Sequence, residues 1–412
     1  MRKLPLRARF ATTIGGAAGR VSRLTGRGDG SVIGGVVSLR VEPGLLRLLA
    51  VDRRIVLVTG TNGKTTTTRL ITAALGALGQ EVASNAFGAN MEAGIASALG
   101  HARQAPFAVL EVDEKYVPAM LTATSARVVA LLNLSRDQMD RAAEIWMVAR
   151  RWREALAVAP KCQVIANADD PLIVWAAGAA PNVTWVAAGQ RWHEDSWCCP
   201  ECGSHLRRDE LGWRCGECAF RRPPAPWVLE GGSVIDAAGR VRELSLALPG
   251  RANRSNAVMA LAVADFFGAD VDQALPRVRE VTSVAGRYTQ ITRRGRRVRL
   301  LLAKNPAGWL EAFDVLADGL SPVMLSVNAQ GPDGRDTSWL WDVDYRGLRG
   351  RPVYVTGQRR TDLAVRLEAD QVAFELADGI DDVVDRMPPG ELDVIANYTA
   401  FQQIRAVVGR AE

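Results

Sequence analysis

Lysine, histidine and long apolar runs are scarce in this 412-residue sequence. It has three histidines, and only five of its 51 basic residues are lysine. One uncharged run, residues 171–190, approaches the length of a membrane span, but Gly178, Pro181 and Asn182 interrupt it. Such residues form turns and end helices, so we expect a helix, a turn and a strand there, and no integral membrane protein.

The composition is that of a folded protein with more than one domain. At about 150 residues per domain, the length predicts two to three domains. Hydrophobic residues make up 48% of the chain and charged residues 23%, which excludes a mostly disordered chain. The net charge is +6, but most arginines are scattered along the chain. We interpret them as solvated surface residues and expect no nucleic-acid partner.

Positive charge is concentrated only at the start of the chain, where residues 1–30 contain a single acidic residue, Asp29. The basic residues of this segment are Arg2, Lys3, Arg7, Arg9, Arg20, Arg23 and Arg27. Its uncharged stretch is too short for a secretory signal peptide, so we expect a cytoplasmic protein. Because basic segments are attracted to anionic lipid, the N-terminal segment 1–40 leaves open a peripheral position at the inner face of the plasma membrane.

Short apolar runs alternate with helical stretches in two parts of the chain. This alternation predicts a doubly wound α/β domain over residues 41–292, with a compact Cys-rich insertion at 197–222, and a smaller C-terminal α/β domain over 293–412. The strands predicted in the first domain are 54–59, 107–112, 127–132, 163–166, 183–186 and 241–248, and its helices include 66–78, 256–267 and 271–281. In the second domain we predict strands at 298–303, 323–327, 352–355 and 394–396, and helices at 308–316, 361–367 and from 401.

A glycine-rich loop lies between the first predicted strand and the helix that follows it. Its residues are Gly60, Thr61, Asn62, Gly63, Lys64 and Thr65. The backbone N–H groups of such a loop and the N-terminus of the helix bind phosphate oxygens. Lys64 can reach the β- and γ-phosphates and the Thr65 hydroxyl can bind Mg²⁺, so we predict that this loop binds ATP.

Five of the six cysteines lie within 198–218. Four of them form two C-x-x-C pairs, Cys199 with Cys202 and Cys215 with Cys218. Two such pairs can present four thiolates to one tetrahedral Zn²⁺, and because no coordination position then stays open, we predict a structural zinc site in a zinc-ribbon insertion. Cys198 is left over, His205 is a weaker alternative ligand, and a redox-active pair is the competing interpretation.

The glycine-rich loop and the segments after it resemble the Mur ligase family, to which folylpolyglutamate synthetases are related. The shared pattern comprises the loop, Glu111 at the end of an apolar strand, and the segments 133–140, 167–170, 250–256 and 286–287. These ligases use ATP to convert a carboxylate into an acyl phosphate, which an amine then attacks. The resemblance implies that Glu111 binds Mg²⁺ with Thr65, that Asn256 and Arg287 contact the nucleotide, and that Lys64 and Glu111 are catalytic.

Two positions depart from the family pattern. Gln138 stands where the peptidoglycan ligases have a metal-binding histidine, and the following helix has no lysine before Lys161, although those ligases carry a carbamoylated lysine there. Arg150, Arg151 and Arg153 occupy that region instead. The usual second Mg²⁺ site therefore lacks its family ligands.

The whole pattern is most similar to one branch of the family, the ligase subunits of glutamine-hydrolysing lipid II isoglutaminyl synthases. The segments 302–308, 333–339 and 397–399 carry this resemblance in the second domain. It implies that the chain amidates the α-carboxylate of D-glutamate in the lipid II stem peptide at the membrane surface. It also implies a heterodimer with a GatD-like glutamine amidotransferase subunit, which releases the ammonia.

The residues themselves agree with a separate glutaminase. Glutamine hydrolysis usually needs a Cys nucleophile with a His base. Outside the cluster the one cysteine is Cys162, which lies in a predicted strand and is expected to pack in the core. If glutamine supplies the ammonia, another chain therefore hydrolyses it.

Two residues of the second domain receive roles from the resemblance alone. Asp336 is implied to reach into the partner and complete its Cys–His–Asp triad, and Lys304 is implied to contact the phosphate or the carboxylate of the substrate. From the local sequence, Asp336 fits a turn-capping aspartate equally well, and Lys304 fits a surface lysine at the end of a strand.

Two other functions stay open at this point. One is a different amide ligase of the same fold, such as a folylpolyglutamate synthetase, which the Cys-rich insertion and the missing family lysine disfavour. The other is a zinc-ribbon ATPase that binds nucleic acid, for which salt-dependent binding to DNA or RNA is expected.

Overall fold

The structure, a computed structural model, describes residues 4–25, 30–85, 89–136, 145–210, 212–284, 287–316 and 320–408. Within these ranges the chain forms two compact units. The first unit comprises Met1–Leu134, Glu144–Leu248 and Ala252–Thr282, and the second comprises Ser135–Ala143, Pro249–Arg251 and Ser283–Glu412.

The first unit is an α/β fold built on a nine-stranded sheet with the order β11-β10-β9-β6-β5-β4-β1-β3-β2. The strands are β1 Arg54–Thr59, β2 Val82–Ser84, β3 Phe107–Glu111, β4 Val128–Leu131, β5 Gln163–Asn167, β6 Val183–Ala187, β9 Trp227–Glu230, β10 Ser233–Ile235 and β11 Val241–Glu243, and a separate hairpin consists of β7 Leu206–Asp209 and β8 Gly212–Cys215. The helices are α1 Leu6–Leu24, α2 Ser31–Val41, α3 Leu45–Ala50, α4 Lys64–Leu75, α5 Glu92–His101, α6 Val117–Thr124, α7 Ile145–Ala157, α8 Pro171–Ala177, α9 Arg251–Phe266 and α10 Val271–Arg279.

The central strands of this sheet run parallel, and they are almost entirely buried. Every residue of β3 and β4 is buried, as are five of the six residues of β1. Continuous apolar strands of this kind are typical of a parallel sheet that is covered on both faces. Since the carboxyl ends of parallel strands meet at one edge, the residues that follow β1, β3, β4 and β5 are brought together there.

No helix was predicted near the basic N-terminus, but the structure has two there, α1 and α2. Their axes approach closely because glycines face each other: a β-carbon at Gly34 would lie 2.7 Å from the carbonyl oxygen of Gly15, and one at Gly19 would lie 2.8 Å from that of Gly30. None of the helices in the described part of the chain is long and apolar enough to cross a membrane.

The second unit has a six-stranded sheet with the order β12-β13-β17-β14-β15-β16, in which only the β12–β13 pair is antiparallel. Its strands are β12 Tyr288–Arg293, β13 Arg296–Leu302, β14 Val323–Ser326, β15 Val353–Thr356, β16 Glu375–Leu376 and β17 Glu391–Ala396. Its helices are α11 Pro306–Val315, α12 Arg360–Ala369, α13 Ile380–Arg386 and α14 Tyr398–Val408.

Most predicted elements are present, with shifted ends. α4 begins at Lys64 rather than residue 66, because Gly63 takes the left-handed conformation directly before the helix. The predicted strand 241–248 is confined to β11, and β9 and β10 were not predicted. The arginine-rich segment predicted as the domain boundary, residues 293–297, spans the turn between β12 and β13. The longest segment of the second compact unit begins at Ser283.

Candidate functional site

Two glycines determine the course of the loop between β1 and α4. Gly60 and Gly63 have φ angles of 142° and 86°. A β-carbon at Gly60 would lie 2.9 Å from the backbone nitrogen and oxygen of Asn133, and one at Gly63 would lie 2.8 Å from Oδ1 of Asn256. Only glycine fits at these two close contacts. The contact at Gly63 places Asn256, which is predicted to contact the nucleotide, beside the loop.

Asn133, which follows β4, fixes the shape of the loop. The backbone N–H of Asn62 donates to Oδ1 of Asn133 at 2.9 Å, and Nδ2 of Asn133 donates to the carbonyl oxygen of Asn62 at 3.1 Å. The N–H of Thr61 donates to the carbonyl oxygen of Asn133 at 2.9 Å. The neighbouring strand therefore holds the loop in place, which leaves little reorganisation for phosphate binding.

Lys64 is 4% exposed and lies against three acceptors. Its Nζ donates to the carbonyl oxygens of Gly60 at 2.7 Å and Thr61 at 3.3 Å, and to Oε1 of Glu114 at 2.6 Å. Glu114 was not predicted as a site residue, because a carboxylate three residues after a strand is typical of a solvated loop. A phosphate that binds Lys64 competes with these acceptors.

Thr65 and Glu111, predicted to bind Mg²⁺, are in direct contact. The Thr65 hydroxyl donates to Oε2 of Glu111 at 2.8 Å, and the Glu111 side chain is buried. The backbone of Glu111 is fixed by Asn85, which accepts from its N–H at 2.7 Å and donates to its carbonyl oxygen at 2.8 Å. Two adjacent ligands of an octahedral Mg²⁺ lie about 2.9 Å apart, so this pair of oxygens fits the ion.

Asp170 follows β5 and organises the backbone beside the loop. Its carboxylate accepts hydrogen bonds from the N–H groups of Leu134, Leu172 and Ile173 at 2.8, 2.9 and 3.2 Å. It therefore caps α8 and joins it to the end of β4. Complete burial raises the pKa of Asp170 to about 6, although these hydrogen bonds favour the ionised form.

The four cysteines of the two C-x-x-C pairs converge. Their sulfur atoms all lie within 4.8 Å of one another, with Cys199 and Cys218 at 3.7 Å and Cys202 and Cys215 at 3.4 Å. Thiolates of a tetrahedral zinc site lie about 3.8 Å apart, so this donor set fits the ion. Cys198 is exposed and is not part of the cluster.

The insertion is attached to the segment that contains Asp170. Nε1 of Trp213 donates to the carbonyl oxygen of Ala168 at 3.1 Å, and Nε of Arg222 lies 2.6 Å from Oδ1 of Asp169. A small apolar cluster that includes Trp213, Cys199 and Val174 joins the hairpin to α8. The cysteine cluster thus lies in a module that packs near the residues supporting the glycine loop.

In the second unit, Asp336 lies in a loop whose preceding residues are anchored by two sets of hydrogen bonds. Asn328 and Asn397 exchange hydrogen bonds at 3.0 and 2.7 Å, and the carboxylate of Asp333 accepts from the N–H of Thr399 at 2.9 Å and from its hydroxyl. Oδ1 of Asp336 accepts from the N–H of Ser338 at 2.8 Å, and this bond lowers the pKa of its carboxyl group. One of its oxygens thus caps a turn, as the local sequence allowed.

The structure gives less information on the remaining predicted residues. Arg287 and Lys304 are half-buried in the second unit, and their roles stay predictions. Asp137, Gln138, Asp140 and Gly286 lie outside the described residues. Cys162 is buried, as predicted, and burial raises the pKa of its thiol to about 12.

Family models and individual proteins match most of the chain. The Mur ligase middle domain matches residues 58–264, and the MurT ligase C-terminal domain matches residues 302–401. A MurT subunit of lipid II isoglutaminyl synthase (glutamine-hydrolyzing) from Streptococcus pneumoniae is 30% identical over 96% of this chain and 97% of its own. One from Staphylococcus aureus is 31% identical over 86% of both chains.

The chain belongs to the MurT family of Mur ligases. The prediction of an ATP-dependent ligase of the Mur type is therefore confirmed, and the alternative of a zinc-ribbon ATPase for nucleic acid is not supported. The contacts of the glycine loop lie within the part of the chain that matches the Mur ligase middle domain. The Asp336 loop lies within the part that matches the MurT ligase C-terminal domain.

Solved structures agree on the fold. A pseudomurein peptide ligase type C from Methanothermus fervidus has a TM-score of 0.69 at 18% identity over 88% of this chain and 79% of its own. MurF from Acinetobacter baumannii has a TM-score of 0.65 at 17% identity, over 91% of this chain and 80% of its own. Mycobacterium tuberculosis folylpolyglutamate synthase has a TM-score of 0.60 at 18% identity, over 89% of this chain and 92% of its own. Because the fold is shared with that enzyme, the fold alone does not distinguish a folylpolyglutamate synthetase from a MurT-type ligase.

Proposed function

We propose that this chain is the ligase subunit of a glutamine-hydrolysing lipid II isoglutaminyl synthase. It would convert the α-carboxylate of D-glutamate in the lipid II stem peptide to an amide. The observation that carries this proposal is the 30% identity to a MurT subunit over 96% of the chain, which covers both the phosphate loop and the Asp336 loop. A folylpolyglutamate synthetase shares only the fold.

The glycine loop supplies the chemistry of the first step. The N–H groups at the start of α4 and the ammonium of Lys64 bind the phosphates of ATP, and Asn256 lies beside them. A carboxylate oxygen of D-glutamate then attacks the γ-phosphorus, and ADP leaves. Thr65 and Glu111 would hold Mg²⁺, which neutralises phosphate charge when it is bound. Catalysis here consists of positioning and charge neutralisation by groups that the fold has already oriented.

Ammonia completes the reaction. Its nitrogen attacks the acyl carbon, the phosphate leaves, and a proton passes to solvent. A GatD-like glutamine amidotransferase subunit, in a heterodimer with this chain, would release the ammonia from glutamine. Asp336 would serve that partner from the turn that it caps, where its carboxylate accepts from the N–H of Ser338.

Zinc has a structural part in this proposal. The four sulfur atoms would hold one Zn²⁺, which would stabilise the insertion against α8. The protein would act in the cytoplasm, at the inner face of the plasma membrane, where lipid II is made available.

The deciding experiment is reconstitution of the purified complex with lipid II, ATP and Mg²⁺, with either glutamine or ammonium as nitrogen source. Mass spectrometry of the stem peptide should detect the amide with both sources. Lys64→Ala should abolish both reactions, whereas Lys161→Ala, an exposed lysine of the same unit, should leave them unchanged. Glutamylation of a folate in place of lipid II amidation would support the synthetase alternative instead.

A further inference from the structure

Seven large apolar side chains are exposed on α1 and α2, namely Leu6, Phe10, Val21, Leu24, Val32, Ile33 and Val36. The described part of the chain has 21 exposed side chains of this kind, so a third of them lie in these two helices. Single exposed apolar residues are ordinary, but a cluster of them marks an interaction surface.

α1 carries its large residues on the side that faces away from the protein. Its buried residues are all small: Ala8, Ala11, Gly15, Gly19 and Ser22. The exposed residues Leu6, Phe10, Thr13, Ala17 and Leu24 follow one another at intervals of three, four and seven, which places them on one outward face. Leu6 and Leu24 are 81% and 88% exposed, so the core does not account for their apolar character.

The charged residues of α1 and α2 are all basic. Arg9, Arg20 and Arg23 on α1 and Arg40 on α2 are exposed, and neither helix contains an acidic residue. None of these four arginines forms an ion pair with another residue in the described ranges, whereas Arg7 lies 3.6 Å from Glu42. Exposed apolar residues flanked by these arginines complement a surface that has an anionic outer layer and an apolar layer beneath it.

We propose that the outer face of α1 and α2 binds the surface of an anionic phospholipid bilayer. The helices would lie in the plane of the interface, with Leu6, Phe10 and Leu24 at the acyl boundary and the arginines among the headgroup phosphates. Because the proposed substrate is lipid-linked, this face would bring the ligase to it, and in that respect the proposal rests on the proposed function.

Vesicle flotation of the purified complex, in the absence of lipid II, tests this face directly. Vesicles of phosphatidylcholine with phosphatidylglycerol should bind the protein, and pure phosphatidylcholine vesicles should bind it much less. Arg20→Gln/Arg23→Gln should weaken binding about 25-fold at low salt, from roughly fivefold for each arginine. Phe10→Ser/Leu24→Ser should weaken binding at low and high salt alike, because apolar contacts are not screened.

Matched controls are Arg103→Gln/Arg405→Gln and Val158→Ser/Val241→Ser, which change exposed residues elsewhere and should bind like the parent protein. The α1 variants should keep amidation of detergent-dispersed lipid II, so a failed vesicle experiment is distinguishable from a failed enzyme assay. Absence of binding to anionic vesicles, or equal loss in the controls, overturns the proposal. Loss of the glutaminase subunit from the α1 variants would make this face a protein interface and also overturns it.

Discussion

The ammonium group of Lys64 lies 2.6 Å from the carboxylate of Glu114. Glu114 is three residues beyond Glu111, and its backbone is held by Nε1 of Trp152, which donates to the Glu114 carbonyl oxygen at 2.8 Å. The lysine that is expected to bind phosphate therefore has an anionic partner already in place. Phosphate binding requires Lys64 to exchange this carboxylate for the nucleotide.

Glu114→Gln should therefore strengthen ATP binding. The neutral amide keeps the size of the side chain but holds the ammonium less tightly, by about 1 kcal/mol, so KM for ATP should fall about fivefold with kcat nearly unchanged. Steady-state kinetics of ammonia-dependent amidation measure both constants. Asp113→Asn, a neighbouring carboxylate that caps the N–H of Lys115, is the control. A collapse of kcat at saturating ATP would mean instead that Glu114 acts on the metal or the phosphates.

Cys199→Ser should remove zinc and destabilise the protein. A tetrahedral site that loses one thiolate binds its metal far more weakly, and the small insertion around it has few other buried contacts. Metal analysis should fall from about one zinc per chain to near none, and Tm should fall by at least about 5 °C. Cys198→Ser changes the adjacent exposed cysteine and should alter neither value. Zinc-free parent protein of normal stability would argue against the site.

Asp336→Asn should separate the two nitrogen sources. The amide keeps the oxygen that accepts from Ser338, so the turn and partner binding persist, but it lacks the charge that orients and stabilises a partner histidine. Ammonia-dependent amidation should continue while glutamine-dependent amidation is lost. Asp344→Asn is the control, because Asp344 also caps a turn, accepting from the N–H of Arg346 at 3.0 Å. It differs in that it also forms an ion pair with the Arg346 guanidinium. Unchanged use of glutamine would exclude a shared triad.

Asp170 should make stability depend on pH between about 4 and 6. Burial raises its pKa from 3.8 to about 6, so the native state binds a proton more tightly than the unfolded state. Its contribution is fully present below about pH 4 and is lost as the pH rises through 6, by at most about 3 kcal/mol. Asp170→Asn cannot titrate at this position. As the pH rises from about 4 to about 6, the unfolding free energy of the parent protein should therefore fall relative to that of the variant. Denaturant unfolding at several pH values measures it, and a constant difference would contradict the shift.

The strands and the phosphate loop could be predicted because their signals are local. β1, β3 and β4 are continuous apolar runs, and a glycine-rich turn follows the first of them. The contacts of Glu114 and Asn133 could not be predicted, because they join residues that are 50 and 71 positions from Lys64 and Asn62. Only the register of the parallel strands places those side chains beside the loop.

The N-terminal helices were missed for a different reason. Gly15, Gly16 and Gly19 lower the intrinsic helix propensity of α1, and the same holds for Gly34 and Gly35 in α2. These glycines allow the close packing that stabilises both helices. Glycine therefore lowers the helix propensity of the isolated segments but favours the helices once they pack together. The two C-x-x-C pairs were the opposite case, since their spacing alone was sufficient to predict the convergence of four sulfur atoms.

The anchored loop of Asp336 has a consequence for how a heterodimer would form. Asn328, Asn397, Asp333 and Thr399 order this loop through contacts within its own domain. The conformational entropy of the loop is therefore lost when the subunit folds and not when the two chains meet. Association would then need little rearrangement on this side, which favours a rapid encounter and a rate that is governed by diffusion and orientation.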